Sequence, residues 1–101
     1  MKPFFSIVTV TRNDVWVLSK TMRSLFAQSC KDYEYIVIDG ASTDQTLDLI
    51  DFWKSNGLVD QLVSEPDTGV YNAMNKGIKL AQGQYICFMN AGDSFSDSEV
   101  L

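Results

Sequence analysis

The stretch YEYIVIDGASTDQT, Tyr33 to Thr46, decides the fold class of this chain. Its first half, Tyr33 to Asp39, is rich in β-branched and aromatic residues and predicts a strand. Its second half is polar, and Ser42 followed by Gln45 three residues later predicts a capping box at the start of a helix. A strand that passes through a short polar loop into a helix is the first half of a βαβ unit.

The same alternation of strand and helix runs through the rest of the chain. Further strands are predicted at Phe4 to Val10, Val59 to Ser64 and Tyr85 to Met89. Helices are predicted from Asp14 to Gln28, capped by Asn13 or Asp14, around Leu47 to Trp53, and from Pro66 to Gly83, capped by Asp67 or Thr68. Short strands alternating with such helices predict an α/β fold with a parallel sheet and helices on both faces.

Composition sets the class of protein. The chain has 101 residues, 46% of them hydrophobic, which predicts one globular domain in which Trp16, Trp53 and Phe26 pack in the core or between helix and sheet. No apolar run of membrane-spanning length and no secretion leader occur in the sequence, so we expect a cytoplasmic protein.

A net charge of -5 without a basic run gives no electrostatic footprint for nucleic acid or an anionic membrane. Two isolated cysteines and no histidine predict inert thiols and no zinc site.

Polar residues follow every predicted strand. These clusters are Thr11 to Asn13, Asp39, Glu65 to Asp67, and Asn90 to Asp93. Because ligands of parallel α/β sheets bind outside the carboxyl ends of the strands, we expect the clusters to share one crevice.

Each candidate residue in these clusters has a second interpretation. Asp39 could accept hydrogen bonds from a nucleobase or ribose edge, or it could only complement a helix dipole. Asp93 could hold magnesium or manganese beside a diphosphate, or NAGD could be an ordinary turn. Arg12 and Lys76 are candidate phosphate ligands, or they are solvated cations.

Several enzyme classes are disfavoured by absent motifs. No GxGxxG follows the first strand and no GxxxxGK[ST] occurs, which disfavours dinucleotide cofactors and P-loop chemistry. Without histidine or a GxSxG sequence, a hydrolase triad is not available.

Three stretches together resemble the N-terminal part of family 2 glycosyltransferases of the GT-A fold. SIVTVTRN resembles the opening strand of that family, and SLFAQSCKDYEYIVIDGASTDQT resembles its S-L-x-x-Q-x-x-x-x-x-E-x-I-V-x-D-D-G-S-T-D-x-T stretch. NAMNKGIKLAQGQYICFMNAGD resembles A-R-N-x-G-I-x-x-A-x-G-E-Y-I-x-F-L-D-A-D-D. The match runs from about Phe4 to Phe95. It implies a three-layer, Rossmann-like, mostly parallel sheet.

The resemblance also implies an activity and a ligand set. Family members transfer a sugar from a nucleoside diphosphate sugar to an acceptor hydroxyl, with a divalent metal, Mg²⁺ or Mn²⁺. By position, Asp93 is expected to bind the metal as the acid of a DXD-type motif. The residues expected to bind the donor are Thr11, Arg12, Asp39, Asp67 and Lys76.

The chain departs from the family pattern in its acids and its length. Gly40 replaces the second acid of the paired aspartates, Met74 replaces a frequent arginine, and Asn90 and Gly92 replace acids around Asp93. In the family the acceptor region and the general base lie further along the polypeptide. We therefore expect residues 1–101 to be a truncated donor-binding portion, inactive in transfer on its own.

Expected partners follow from the same resemblance. They are a nucleotide-sugar donor, a saccharide or lipid-linked acceptor, the inner face of a membrane through peripheral association, and a second copy paired through the exposed fourth strand; nucleic acid is not among them. A doubly wound phosphoacceptor signalling domain is one alternative, disfavoured because strand one ends in Thr11-Arg12-Asn13 rather than in an acid pair. A nucleotide-binding module without transfer activity is the other.

Overall fold

The computed structural model describes residues 2–66, 69–95 and 100–101, and strands and helices alternate along them. The elements are β1 (Phe5–Thr11), α1 (Val15–Phe26), β2 (Tyr33–Asp39), α2 (Thr46–Ser55), β3 (Gln61–Ser64), α3 (Val70–Leu80) and β4 (Tyr85–Phe88). The predicted order is confirmed, and the boundaries of β2 agree to the residue.

The strands form one parallel sheet in the order β3-β2-β1-β4. β1 pairs with β2 from Phe5 opposite Tyr33 to Thr11 opposite Asp39. On its other side β1 pairs with β4, where Phe5 lies opposite Tyr85. The chain therefore builds the sheet outward on one side and returns for β4 on the other, which places the topological switch between β1 and β4.

Helices cover both faces, which confirms the expected three layers. On one face α1 and α2 pack over the sheet around a core of Ile7, Leu18, Met22, Leu25, Tyr35, Val37, Ile50, Val59 and Met89. On the other face α3 packs on Val8, Ile36 and Ile38 through Ala73. Gly77 lets α3 come close, because a Cβ there would lie 2.4 Å from a Val8 methyl group.

One buried acid joins three strands to the α3–β4 connection. Glu34 accepts hydrogen bonds from the Ser6 hydroxyl and the Gln82 N–H, both at 2.6 Å, and from the Gln61 amide at 3.3 Å. Gly83 donates its N–H to the Ser6 hydroxyl at 2.8 Å. These bonds lie at the edge of the sheet where the strands begin.

The predicted burial of the large aromatic side chains is right for two residues and wrong for one. Phe26 packs against Trp53 with ring centroids 5.0 Å apart, and both rings contact the core. Trp16 is 85% exposed, because the stripe of α1 that faces the sheet consists of Leu18, Met22 and Leu25. The apolar character of Trp16 did not identify the face on which it lies.

The helix starts also differ from expectation. The capping box is wrong, since α2 begins at Thr46 and the Ser42 hydroxyl binds Asp39 instead. Asp14 occupies the N-cap of α1 without a side-chain capping bond. Gly69 occupies the N-cap of α3, and Asp67 and Thr68 lie outside the described residues.

Within the described ranges no helix has the length and apolarity required to cross a bilayer. Cys30 and Cys87 are both free thiols and half-buried.

Candidate functional site

The carboxyl ends of the strands meet at one edge of the sheet. Thr11 and Asp39 are partners in the β1–β2 register, and Ser64 at the end of β3 lies opposite Asp39. Beyond β4 the chain continues beside β1, since Ala91 donates its N–H to the Val10 carbonyl at 3.3 Å. The clusters of residues 11–13, 39 and 90–93 are therefore neighbours, and Asp93 lies at the same edge as Thr11 and Asp39.

Asp39 is fully buried at this edge and already has several partners. Its Oδ2 accepts the Ser42 N–H at 2.9 Å and the Ser64 hydroxyl at 2.8 Å, and its Oδ1 accepts the Ser42 hydroxyl. Because a carboxylate oxygen can accept two hydrogen bonds, Oδ1 keeps one acceptor position. Asp39 thus joins β2 to β3 at the ligand edge.

Asn13 fastens the loop after β1 to the loop after β2. Its Oδ1 accepts the N–H groups of Thr43 at 2.7 Å and Asp44 at 3.3 Å, and its own N–H donates to the Ser42 hydroxyl at 2.9 Å. The residue has a φ of 52°, a left-handed conformation that Asn tolerates better than most residues. Asn13 or Asp14 was predicted to cap α1, and the connecting role of Asn13 was missed; an Asn two residues after the end of β1 is the available signal.

Residues 90–93 form a turn that α1 holds in place. The Asn90 N–H donates to Asp93 Oδ2 at 3.0 Å, and the Asp93 N–H donates to the Asn90 carbonyl at 2.9 Å. The Thr21 hydroxyl accepts the Gly92 N–H at 2.9 Å and donates to the Asp93 carbonyl at 2.7 Å. The Asp93 side chain is exposed at the rim, and only one of its oxygens is used by the turn.

Three buried side-chain oxygens have no hydrogen-bond partner in the described structure. They are Thr11 Oγ1 at the end of β1, Asn90 Oδ1 after β4, and Thr46 Oγ1 at the start of α2. A buried polar atom without a partner costs about 1 to 3 kcal/mol, so such atoms are rare unless water or a ligand supplies the missing group. Thr11 and Asn90 flank the switch point, where α/β sheets bind ligands.

The predicted cationic groups lie at different places. Arg12 is exposed and directly follows β1 at the ligand edge. Lys76 lies on α3 and forms an ion pair with Glu65 at 3.0 Å, while its Nζ also donates to the Pro66 carbonyl at 3.3 Å. Lys76 is therefore engaged on the α3 side of the sheet, and Asp67 lies outside the described residues.

The acidic groups at the edge bear on metal binding. No group of three or more histidine, cysteine, aspartate or glutamate side chains suited to a metal occurs among the described residues. Asp93 can supply a carboxylate oxygen and Asn90 an amide oxygen, both of them hard ligands for Mg²⁺ or Mn²⁺. This set fits a cation that takes its remaining ligands from a diphosphate and water.

Hydrogen bonds from Thr46 lower the pKa of Asp44, an exposed acid in the loop after β2.

With this geometry in view, the chain can be compared with known proteins. Residues 6–101 match the family model of Glycosyl transferase family 2. The fold is similar to the mannosyltransferase PcManGT from Pyrobaculum calidifontis in complex with GDP-Man and Mn²⁺, with a TM-score of 0.84 and 23% identity over 95% of this chain and 29% of that one. It is also similar to S. aureus TarS 1-349 in complex with UDP-GlcNAc, with a TM-score of 0.77 and 26% identity over 91% of this chain and 27% of that one. These likenesses define a GT-A, Rossmann-like fold.

The chain belongs to glycosyl transferase family 2. Among curated proteins it is 41% identical to a PGL/p-HBAD biosynthesis glycosyltransferase of Mycobacterium bovis, over 98% of this chain. It is 29% identical to TuaG of Bacillus subtilis, a putative teichuronic acid biosynthesis glycosyltransferase, again over 98% of this chain. The chain spans 39% of the length of the first relative and 40% of the second.

Proposed function

We propose that this chain is the donor-binding portion of a longer glycosyltransferase that moves a sugar from a nucleoside diphosphate sugar to a hydroxyl of a saccharide or lipid-linked acceptor. The observation that carries the proposal is the pair of buried, unpaired oxygens, Thr11 Oγ1 and Asn90 Oδ1, at the switch point of a family 2 sheet. The names of the relatives support glycan biosynthesis, and the nucleotide-sugar complexes of the structural neighbours support the class of donor.

In this proposal the residues of the edge bind and orient the donor. The nucleobase lies by Thr11 and Arg12, and one of its N–H groups donates to the remaining position on Asp39 Oδ1. Asn90 Oδ1 serves the metal ion that accompanies the diphosphate of the donor. Asp67 is kept as a donor ligand from the sequence, whereas Lys76 would have to leave Glu65 to reach a phosphate.

Asp93 and Asn90 would hold the Mg²⁺ or Mn²⁺ ion, which when bound neutralises the negative charge of the departing diphosphate. The turn of residues 90–93 keeps the free oxygen of Asp93 at the rim, because Thr21 fixes the backbone of Gly92 and Asp93. We assign the general base and the acceptor site to the rest of the longer polypeptide, and place the protein in the cytoplasm at the inner face of the membrane.

Calorimetry with UDP and GDP, each with and without Mn²⁺, tests the proposal on the polypeptide that contains this chain. We expect binding of one of the two nucleotides that is strengthened by Mn²⁺ and lost in Asp93→Ala. Lys54→Ala, which removes an exposed charge on α2, is the control and should bind as the wild type does. Absence of metal-dependent binding to either nucleotide would refute the proposal.

A nucleotide-binding module without transfer activity is the second candidate, favoured by the neutral residues Asn90 and Gly92 beside Asp93. A transfer assay separates the two functions. Release of nucleoside diphosphate that depends on an acceptor identifies the transferase, and nucleotide binding without such release identifies the module.

A further inference from the structure

The outward face of α1 carries a tryptophan and two cations in a single stripe. Trp16, Lys20 and Arg23 are spaced by four and three residues, which places them on one side of a helix. All three are exposed, and Trp16 is the most exposed large hydrophobic residue in the described structure. We call Trp16, Lys20 and Arg23 the basic face of α1.

The other sides of α1 are already in use. Leu18, Met22 and Leu25 face the sheet, Phe26 packs on Trp53 of α2, and Thr21 and Ser24 bind the backbone after β4. The basic face is therefore directed away from the rest of the described structure.

The charge of this helix is opposite to that of the chain. The sequence of α1, VWVLSKTMRSLF, contains two cations and no acid, whereas the whole chain has a net charge of -5. Asp14, exposed at the N-cap, is the nearest acid along the chain. By contrast, the exposed Phe52 of α2 lies between Asp51 and Lys54, with Asp48 one turn away.

We propose that the basic face of α1 docks on the anionic surface of a lipid bilayer, an inference that rests on the proposed transfer to a lipid-linked acceptor. An indole ring is suited to the boundary between lipid and water, because one part of the ring is apolar and its N–H can hydrogen-bond. Lys20 and Arg23 would contact lipid phosphates on the same side. The sequence contains no basic run, and only the folding of α1 aligns these residues.

This docking would place the crevice next to the membrane. The first turn of α1, with Trp16, directly follows the loop that leaves β1 at the ligand edge. Val17 lies beside the turn of residues 90–93, since a Cβ on Gly92 would be 3.3 Å from its methyl group. An acceptor carried by a lipid headgroup would then be presented close to the donor.

Cosedimentation with vesicles tests the docking surface. The protein is mixed with phosphatidylcholine vesicles, alone or containing phosphatidylglycerol, at low and high salt. We expect binding only to the anionic vesicles, decreasing with salt, and about tenfold weaker in Lys20→Glu/Arg23→Glu. Trp16→Ala should also bind more weakly. The control Lys54→Glu/Lys79→Glu changes the net charge equally on other helices and should retain most of the binding.

Three results would overturn the inference. They are equal binding to both kinds of vesicle, no binding to either, and an equal loss in the control double variant. Circular dichroism confirms that each variant is folded. Nucleotide calorimetry without vesicles is measured in parallel, so that failure of the docking surface is distinguished from failure of the proposed function.

Discussion

Asn90 stands where the family pattern has an acid, and this difference bears on metal binding. Its Oδ1 is buried and unpaired, and it follows β4 at the position where the family pattern has an acid. A neutral oxygen attracts a divalent cation less than a carboxylate does, so the chain relies on Asp93 alone for negative charge at this turn.

We therefore predict that Asn90→Asp binds Mn²⁺ about tenfold more tightly than the wild type in the presence of nucleoside diphosphate, because a second carboxylate joins Asp93. Electron paramagnetic resonance of free Mn²⁺ measures this without any transfer. Asn56→Asp, at the end of α2, adds the same charge away from the edge and should leave Mn²⁺ affinity unchanged. An equal increase in Mn²⁺ affinity in both variants would exclude a metal site at Asn90 and Asp93.

Gly83 illustrates a packing constraint at a single residue. A Cβ at this position would lie 2.7 Å from the backbone of Phe5 and Ser6, which cannot move without disturbing β1. We predict that Gly83→Ala lowers the free energy of unfolding by about 3 kcal/mol. The matched change Gly57→Ala meets no atom within 4 Å and should cost only about 1 kcal/mol for its φ of 79°. Urea denaturation measures the free energy of unfolding of both variants. Equal losses in the two variants would contradict the role of the close contact between Gly83 and β1.

At the scale of elements, the Ser42 hydroxyl is one of the groups that hold the loops after β1 and β2 together. Ser42 receives the Asn13 N–H and donates to Asp39, so that it connects a β1 loop to a β2 carboxylate. We predict that Ser42→Ala lowers the free energy of unfolding by about 1 to 2 kcal/mol, because the buried Asp39 Oδ1 loses its hydroxyl donor. It should also weaken nucleotide binding severalfold.

The control for Ser42→Ala is Ser55→Ala, which removes an exposed hydroxyl at the end of α2. Chemical denaturation and calorimetry should show almost no change in this variant. If Ser42→Ala matched it in both measurements, the connection between the two loops would be of no consequence.

The elements were largely predictable because their signals are local. The apolar run of β2 and the three-and-four spacing of α1 each fixed an element without knowledge of its neighbours. The role of Ser42 was not predictable, because a serine after a strand can bond forward to a helix or back to an acid, and only tertiary structure selects between them. The predicted burial of Trp16 was wrong for a related reason. The size of its side chain indicates burial, whereas its angular position on α1 exposes it to solvent.

At the scale of the molecule, the convergence of the strand ends could be predicted from βα alternation alone, since parallel order brings them to one edge. The hydrogen-bond partners of each side chain could not be predicted in this way. Asp39 is enclosed by Ser42 and Ser64, which follow it by 3 and 25 residues in sequence. Spacing indicated where the ligand edge lies, and packing determined which oxygens remain available there.

Alkaline pH should destabilise the whole molecule. The phenol of Tyr35 is buried and donates to the Thr9 hydroxyl at 2.8 Å, and burial raises its pKa above the ordinary value of 10.0. Burial also raises the pKa of Tyr33 and of the Cys87 thiol. The folded state then keeps protons that the unfolded state loses, so this stability is complete below about pH 9 and falls as pH rises.

Tyr35→Phe tests that dependence. Urea midpoints measured from about pH 8 to 11 should fall less steeply in the variant than in the wild type, although the variant is less stable at neutral pH for lack of the Thr9 bond. Parallel curves for the two proteins would show that Tyr35 does not contribute to the alkaline loss.

The central place of β1 has a consequence for how the protein is made. During synthesis β1, β2 and β3 leave the ribosome before β4, so one side of β1 stays unpaired until Tyr85 can pair with Phe5. Because β1 and β4 are far apart in sequence, their pairing is slower than the formation of local contacts. The ligand edge formed by β1 and β4 is incomplete before β4 docks, so a nucleotide that binds across these two strands would also stabilise this step of folding.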